Sequence, residues 1–592
     1  MLDVLITNTR IVDGTGKTAF TGSIGITGET ITAVGTADQE AARTIDGTGF
    51  VTCPGFVDPH SHADRSILAN PRAENLVAQG ITTFVGGNCG SSMAPAADNE
   101  YTRDAMARCN ADVNVDWSSF GQWLSRVEEN GLSVNYAPLV GHSAVRGACM
   151  GRDFRRKGSA DEIKKMEGLV REAMESGAFG MSVGLDPTMP GHFAEREEIV
   201  ELLKVVREYD GICAPHTRHH QNQWPIHDPG KDAYGLYHGP NGDIITGRYH
   251  GLLEAVEMCR DACGITTHIA HMTPAYIIPQ PHPEYLDEAA ARATLEEIID
   301  TPRSEGLDIT YNVIAWEQSI GSLKCIIDEF YNPRLLLPEW LTSVPKEEFI
   351  DRLTTGEFRK RVKEVIFSGT FKFGMLHPVT DPYWMDCFRI IECTNKEYAH
   401  RTIGEIARGR KPDNISDAVF NESVDVVFDI LAEDPDASWA LITDKREHRV
   451  LPVFLKHPAG MPCTDTIACC STTREQAGDL HYGTPPLIFG LYPHYIRTFV
   501  QEQQVLTLEE AVMKATSVPA QNVFGLKHRG VIREGCFADI VVFDMEGLKE
   551  NNDFTKPYLP PEGIQYVLVN GTVVYENMSH TGACPGKVLK HC

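Results

Sequence analysis

The sequence lacks the long apolar runs and leading segments that mark membrane or exported proteins. No stretch is apolar over the roughly 18 residues that a membrane-spanning helix needs. Residues 1–8 contain no basic segment leading into an apolar run, so no secretory signal is indicated. We therefore expect a soluble, cytoplasmic protein without a membrane partner.

Positive charge is also scarce. The 592 residues carry 54 Lys and Arg against 81 Asp and Glu, a formal net charge of −27, and no lysine-rich stripe breaks this excess. A surface of this kind repels polyanions at long range. Nucleic acid is therefore excluded as an expected partner.

The cysteine motifs of small zinc or disulfide sites and the glycine-rich motif of nucleotide-binding folds are both missing. The 16 cysteines are scattered, with no CxxC zinc knuckles and no compact disulfide framework. We expect most of them to be reduced and buried. No GxGxxG follows an early strand, which leaves nucleotide binding and an open, doubly wound sheet without support.

Both ends of the chain share one pattern, in which short β-branched runs alternate with turn residues. The pattern covers residues 3–52 and returns at 538–543 and 565–574. It predicts that residues 1–54 and 531–592 pair into one small β-sandwich domain. The middle of the chain would then be a single continuous domain.

Residues 55–530 show short apolar strands that alternate with helical stretches. This alternation favours a fold of the α/β class, a (β/α)₈ TIM-like barrel. Two insertions are expected, one at 219–250 and one within 275–460, because the chain is longer than a barrel needs. We interpret 219–250 as a long loop over the site, and a solvated excursion remote from the site is the alternative. The clearest strand-like runs are 82–85, 136–140, 180–183, 211–214 and 265–269, and the clearest helical runs are 161–176 and 196–208.

The first chemical signal is the run GFVDPHSHAD at residues 55–64. Residues two apart in a strand point to the same side, so His60 and His62 can present two imidazoles to one cation. The alternative is two surface histidines at a strand end, since a bare HxH pair arises often by chance.

Further candidate ligands recur near the ends of predicted strands, where barrel enzymes place their active groups. Each has a plain structural alternative: a buried inert cysteine, a core histidine or an aspartate that caps a loop. Taken together with the two histidines, they form a mixed nitrogen, sulfur and oxygen set that suits Zn²⁺. These candidates are Cys89, His216, His271 and Asp465.

Ordered motifs along nearly the whole chain resemble the amidohydrolase superfamily, and within it the N-acyl-D-amino-acid deacylase (D-aminoacylase) group. The motifs are GFVDPHSHAD (55–64), GGNCG (86–90), VGH with an arginine (140–142 and 146), GMSVGL (180–185), HTR (216–218), the strand ending at 271, LPEW (337–340), TIGEIA (402–407), LTLEEAV (506–512), GVIREGCFADIVVFD (530–544) and TGACPGKVL (581–589).

The resemblance implies a division of labour for one or two zinc ions. Cys89, His216 and His271 would hold the tighter zinc, with Cys89 as a bridging ligand, and His60, His62 and Asp465 would surround the weaker position. Asp465 would accept the proton of the attacking water and return it to the leaving nitrogen. The remaining expected roles are oxyanion stabilisation by His142 or His219, and substrate binding by Arg218, Trp224, Thr273 and His481.

The sequence departs from the group where a substrate carboxylate would be bound. Leu480 and Leu487 stand where arginines are expected, and Met272 and Thr273 follow His271 where a lysine is expected. The tyrosine of the group is also missing from residues 184–191. Losing charge-assisted contacts disfavours a simple N-acyl-D-amino acid. We therefore expect hydrolysis of a less anionic, larger or aromatic small-molecule amide, with replacement contacts from the 219–250 loop.

Three other functions remain open on the sequence. The same zinc chemistry serves a cyclic amide or imide hydrolase and a heterocycle deaminase. A non-catalytic metal-barrel binding protein is a different class, and Asp465 argues against it because a binder needs no proton shuttle. A homo-oligomer is compatible with the sequence.

Overall fold

The computed structural model describes residues 1–36, 39–99, 102–103, 106, 113–185, 190–218, 237–272, 283–316, 318–323, 327, 330, 337–367, 384–410, 417–442, 444–469, 486–552 and 558–591. In chain order the strands are β1 (Leu2–Ile11), β2 (Phe20–Thr27), β3 (Thr30–Gly35), β4 (Ala41–Asp46), β5 (Val51–Pro54), β6 (Phe56–Asp58), β7 (Ile81–Gly86), β8 (Asn135–Pro138), β9 (Val140–Gly141), β10 (Gly180–Gly184), β11 (Ile212–His216), β12 (Tyr237–His238), β13 (Ile244–Ile245), β14 (Thr267–Ile269), β15 (Ile309–Ile314), β16 (Gln318–Ser322), β17 (Phe388–Glu392), β18 (Ser438–Ile442), β19 (Gly460–Cys463), β20 (Ile540–Phe543), β21 (Ile564–Val569), β22 (Thr572–Glu576) and β23 (Ser579–His580).

The α-helices of these residues are Glu74–Ala78, Phe120–Asn130, His142–Met150, Ala160–Glu175, Arg196–Glu208, Gly247–Asp261, Tyr285–Leu295, Thr301–Ser304, Glu339–Thr342, Lys346–Leu353, Gly356–Phe367, Trp384–Cys387, Ile403–Arg410, Asp417–Glu433, Asp444–Lys456, Leu487–Ile496 and Leu508–Ala515. Short 3₁₀ turns occupy Ala63–Arg65, Gly151–Arg155 and Pro190–Phe193. Wider π turns occupy Glu296–Asp300, Arg497–Glu502 and Val518–Val523.

The two ends of the chain form one nine-stranded sheet, the β-sandwich domain. Its strand order is β23-β22-β21-β20-β5-β1-β2-β3, with β4 parallel to β1. The halves meet where β5 and β20 pair antiparallel, Pro54 opposite Ile540 and Val51 opposite Phe543. The predicted fold class is confirmed, while the exact domain boundaries at 54 and 531 stay predictions.

Eight parallel strands of the described residues form the barrel: β6, β7, the β8–β9 pair, β10, β11, β14, β15 and β19. β8 and β9 act as one strand interrupted at Leu139, since β8 pairs with β7 and β9 with β10. The ring closes between its first and last strands through backbone hydrogen bonds. Asp465 N donates to His60 O at 2.9 Å, and His62 N donates to Thr466 O at 2.7 Å.

Sequence pattern explains the barrel elements well. Strands such as β10 are buried at every position, as parallel strands covered on both faces must be. The helix predicted at 161–176 runs from Ala160 to Glu175, because Ser159 accepts a hydrogen bond from Glu162 N and the Glu162 carboxylate accepts one from Ser159 N. The helix Arg196–Glu208 has the predicted bounds.

An inserted subdomain separates β15 from β19. Its three strands have the order β16-β18-β17 and are packed with helices around their own apolar core, in which Phe388 stacks on Trp439 with ring centroids 4.2 Å apart. This subdomain falls within the region 275–460 expected to hold long excursions. It emerges at the carboxyl-terminal edge of β15.

The predicted loop at 219–250 extends too far, because its second half contains two strands and the start of a helix. β12 and β13 pair within it, and a helix begins at Gly247, where Thr246 caps the first turn by accepting from Tyr249 N at 3.2 Å. Gly, Tyr and His residues in that first turn give it a composition typical of a loop, which explains the error. Residues 219–236 lie outside the described part.

Every cysteine in the described ranges is free, and most are buried. Within the same ranges, no helix combines the length and apolarity that crossing a bilayer would take.

Candidate metal centre

The six predicted metal ligands follow the carboxyl-terminal ends of five barrel strands. His60 and His62 follow β6, Cys89 follows β7, and His216 is the last residue of β11. His271 comes two residues after β14, and Asp465 two residues after β19. Because parallel strands end at the same rim of a barrel, this placement brings all six side chains to one face.

Cys89 lies at the middle of the cluster. Its buried Sγ is 3.3 Å from His60 Nε2, 3.4 Å from His216 Nδ1 and 3.2 Å from His271 Nε2. The last two nitrogens are themselves 3.0 Å apart. One thiol sulfur is therefore shared by three imidazoles.

Asp465 joins the cluster from the last barrel strand, β19, which neighbours β6. Its Oδ1 lies 3.2 Å from His60 Nε2 and 3.1 Å from His62 Nε2. The ligand atoms of His60, Cys89, His271 and Asp465 all lie within 4.8 Å of one another. His60 thus connects a Cys89, His216 and His271 group with a His62 and Asp465 group.

The arrangement fits zinc. Tetrahedral Zn²⁺ with nitrogen and sulfur ligands at about 2.0–2.3 Å separates its donor atoms by about 3.3–3.6 Å, close to the spacings found here. Asp465 Oδ1 is buried without a well-oriented hydrogen bond, although two ring nitrogens lie beside it. A cation between these atoms would satisfy them all, whereas protons on the imidazoles do not.

The electrostatics of the cluster favour the forms that bind a metal. Burial lowers the pKa of His271 well below its usual value, and burial together with Arg65 lowers that of His62 to about 4. Burial opposes the charge of Asp465, but the imidazoles of His271, His60 and His62 outweigh it and hold its pKa well below its usual range. Neutral imidazoles and an ionised carboxylate are the ligand forms required.

Three members of the cluster have a strained backbone. Cys89, His271 and Asp465 have φ values of +53°, +26° and +54°, a region that residues other than glycine rarely adopt. Such strain persists only where the surroundings hold it and concentrates at functional sites. The contacts that hold these residues are therefore part of the site.

Sequence reasoning missed several of those supporting residues. Ser182 accepts from Gly90 N at 2.9 Å and donates to Gly87 O, which fixes the loop that carries Cys89. Both Ser182 and Asp58 stand inside quoted motifs, yet nothing local marks them as supports. Asn312, on β15, has no local signal at all.

Asp58 joins the first and last barrel strands beneath the centre. Its buried carboxylate accepts hydrogen bonds from Thr464 N, at 3.0 Å, and from Thr464 Oγ1. Burial raises the pKa of Asp58 to about 7, although the bonds from Thr464 oppose the shift. Thr464 precedes the strained Asp465, so this contact fixes the carboxylate relative to His60.

His142, the predicted oxyanion helper, is fully buried at the start of the helix His142–Met150. Its Nε2 lies 3.0 Å from Glu198 Oε1, and the other oxygen of Glu198 accepts from Arg146. A Cβ on Gly191 would lie 2.9 Å from His142 Nδ1, so this ring edge faces packed backbone. The catalytic role stays a prediction, and these contacts favour a structural one.

Arg218, a predicted substrate contact, is also engaged within the protein. Its guanidinium donates to both oxygens of Glu254, at 2.8 and 3.0 Å, and to His192 O at 2.6 Å. With 1% exposure it braces the loop after His216 rather than facing solvent. The other predicted site residues, His219, Trp224, Thr273 and His481, lie outside the described part.

Comparisons with known proteins agree with this geometry over the full chain. N-acyl-D-glutamate deacylase of Alcaligenes xylosoxydans xylosoxydans is 28% identical over 592 residues, covering 100% of this chain and 96% of the relative. The crystal structure of D-aminoacylase superposes with a TM-score of 0.69 at 25% identity, covering 100% of both chains. Over its full length the chain is D-aminoacylase-like and resembles the amidohydrolases.

Two further comparisons concern part of the sequence and the fold. The model of the amidohydrolase family matches residues 473–575. The fold is shared with N-acyl-D-glutamate deacylase from Bordetella bronchiseptica, solved with zinc and a phosphonate inhibitor, at a TM-score of 0.69 and 24% identity over 100% of this chain and 99% of that one.

Proposed function

We propose that this amidohydrolase hydrolyses the amide C–N bond of a small N-acylated compound that carries less negative charge than the substrate named for its N-acyl-D-glutamate deacylase relative. The convergence of His60, His62, Cys89, His216, His271 and Asp465 at one barrel rim is the observation that carries the proposal.

The six side chains would hold zinc in two overlapping groups. Cys89, His216 and His271 would bind the tighter ion, and His60, His62 and Asp465 would surround a second position. Bound zinc lowers the pKa of a water ligand from about 16 toward 7 and polarises a substrate carbonyl. The resemblance implies this division, and the distances are compatible with it, since Cys89 Sγ lies near three imidazoles and Asp465 Oδ1 near two.

Asp465 would move the proton. Its side chain is 26% exposed, so it is reachable from the mouth of the barrel, and its low pKa keeps it ionised. An ionised carboxylate can take the proton of the attacking water and return it to the amide nitrogen, which leaves poorly until protonated.

Apolar residues at two positions that the resemblance assigns to carboxylate binding support a less anionic substrate. Met272 directly follows His271 and is 1% exposed, and Leu487 begins the helix Leu487–Ile496 with 6% exposure. The lysine and arginine that bind a substrate carboxylate in the resembled group would stand at or beside these positions. A carboxylate without such partners loses its charge-assisted hydrogen bonds.

A substrate panel tests the proposal. Zinc-replete protein would be assayed with uncharged N-acyl amides, N-acyl-D-amino acids and cyclic imides, and we expect the highest kcat/KM among the uncharged linear amides. A wide preference for N-acyl-D-glutamate would overturn the charge argument. Preference for cyclic imides would instead make the chain a cyclic imide hydrolase.

The role of Asp465 has its own test. Asp465→Asn should lower kcat about 10²- to 10⁴-fold, the usual contribution of a positioned acid–base group, while the Cys89 group keeps its zinc. The matched control is Asp98→Asn, since the Asp98 side chain is 97% exposed and pairs with Arg103, which lies outside the cluster. Unchanged turnover in Asp465→Asn would refute the proton-shuttle role.

A further inference from the structure

The direction of the His271 ring depends on one strained peptide. His271 follows the short strand β14, is 3% exposed and has a φ of +26°. A non-glycine residue in this region needs outside contacts to stay there. The ring can meet Cys89 Sγ at 3.2 Å only while the backbone is held in this conformation.

Asn312 supplies two of the contacts that hold this turn. Its side-chain Oδ1 accepts from His271 N at 2.6 Å, and its backbone oxygen accepts from Met272 N at 2.7 Å. Asn312 is fully buried on β15, the neighbouring barrel strand. One residue therefore binds two consecutive peptide N–H groups.

A chain of hydrogen bonds fixes the orientation of the Asn312 amide. A peptide N–H can only donate, so Oδ1 must face His271 and Nδ2 must face the other way, where His268 Nε2 lies 2.7 Å off. His268 Nε2 is then the acceptor, and the proton sits on Nδ1, which donates to Thr310 Oγ1 at 2.8 Å. Flipping the amide would place donor against donor at His271.

We propose that Asn312 is a positioning residue of the metal centre, which aims His271 at the shared cation through the Thr310, His268 and Asn312 hydrogen-bond chain. The inference rests on the proposed function, because it assumes that the cluster binds zinc. Asn312 does not touch the metal position and would act only through His271.

The experiment compares Asn312→Leu, which removes the acceptor, with Asn312→Asp, which keeps an oxygen for His271 N. The dissociation constant of zinc would be measured by chelator competition, and the visible absorption spectrum of the cobalt-substituted protein would be recorded. We expect Asn312→Leu to weaken zinc binding about 10- to 100-fold, the usual effect of losing a residue that orients a ligand, and to change the cobalt spectrum. Asn312→Asp should stay within about 3-fold of the wild type, well short of that loss.

The matched control is Asn135→Leu. Asn135 is another fully buried asparagine on a barrel strand, with hydrogen bonds to Thr82, Asn570 and Lys587 but none to the cluster. The Asn135→Leu substitution should lower the unfolding temperature and leave the zinc affinity unchanged. Equal losses of affinity in Asn135→Leu and Asn312→Leu would overturn the inference, because both would then reflect general destabilisation.

A milder variant covers the case in which Asn312→Leu does not fold. Thr310→Val removes only the far end of the chain, and it should weaken zinc binding less than 10-fold while shifting the cobalt spectrum in the same direction as Asn312→Leu. Wild-type affinity and spectrum in both variants would refute the role of Asn312. Absence of zinc binding by the wild type would refute the proposed function itself, and so separates the two failures.

Discussion

Glu198 shows how a single buried charge can be both costly and stabilising. It is 2% exposed, which alone would raise its pKa, but His142 and Arg146 outweigh burial and lower the pKa to about 2. A carboxylate buried with two basic partners is stable only while those partners are present.

The lowered pKa of Glu198 predicts that the stability of the folded protein depends on pH. Above pH about 4.5 Glu198 is ionised in both the folded and unfolded chain, and its lowered pKa contributes about 3 kcal/mol to folding. That contribution should be lost as the pH falls from about 4.5 through 2, since only the unfolded chain binds the proton there. Glu198→Gln should therefore be less stable than the wild type at pH 7, and the difference should shrink toward pH 2.

Urea unfolding of the metal-free wild type and variant at several pH values measures this effect, because protonation of the metal ligands affects both proteins alike and cancels in the difference. Glu201→Gln is the control, because Glu201 lies on the same helix, is half exposed and pairs with Lys204. A difference between Glu198→Gln and the wild type that stays constant with pH would contradict the assignment.

At the residue scale, sequence located the cluster but not its supports. His60, His62 and Cys89 could be predicted because ligand types stand at strand ends, where position alone implies convergence. Ser182, Asp58 and Asn312 could not, because their importance lies in hydrogen bonds to residues far along the chain. The sequence around a polar residue in a strand does not show which distant residue it will bond to.

The loop between β7 and Cys89 leaves no room for a side chain at Gly87. Gly87 has a φ of +82°, and a Cβ there would lie 2.0 Å from the carbonyl oxygen of Leu139. Gly87→Ala must therefore displace either the Cys89 loop or the β8–β9 strand. We expect a loss of more than about 2 kcal/mol in stability and a lowered zinc content.

The control for this loop is Gly28→Ala. Gly28 also has a positive φ, +57°, but no atom lies within 4 Å of its added Cβ, so the substitution costs only backbone strain of about 1 kcal/mol. Metal analysis and thermal unfolding of both variants separate steric displacement from conformational strain. Full zinc content in Gly87→Ala would show that the loop adapts.

At the element scale, periodic segments were predicted well and irregular ones were not. Arg196–Glu208 has the predicted bounds because apolar residues recur at helical spacing on a single face. The inserted subdomain between β15 and β19 was not resolved from the sequence, because its own strands and helices have the same texture as the barrel. Alternation alone does not show where one sheet ends and another begins.

For the whole molecule, the metal should act as a cross-link between strands. The proposed ligands follow β6, β7, β11, β14 and β19 along the chain, so a cation held by them would bind the folded barrel and not the extended chain. Zinc at about 100 times its dissociation constant should stabilise the protein by about 2.7 kcal/mol. Thermal unfolding with zinc and with chelator tests this, and equal midpoints would contradict a metal held by all five strands.

The closure of the barrel between β6 and β19 also sets an order of assembly during synthesis. A nascent chain exposes His60 and His62 early, but Asp465 and the strand that hydrogen-bonds to His60 leave the ribosome much later. Likewise β1 to β5 must await β20 before their sheet is complete. Under the proposed ligand assignment, zinc can therefore occupy the second position only after most of the polypeptide has been made.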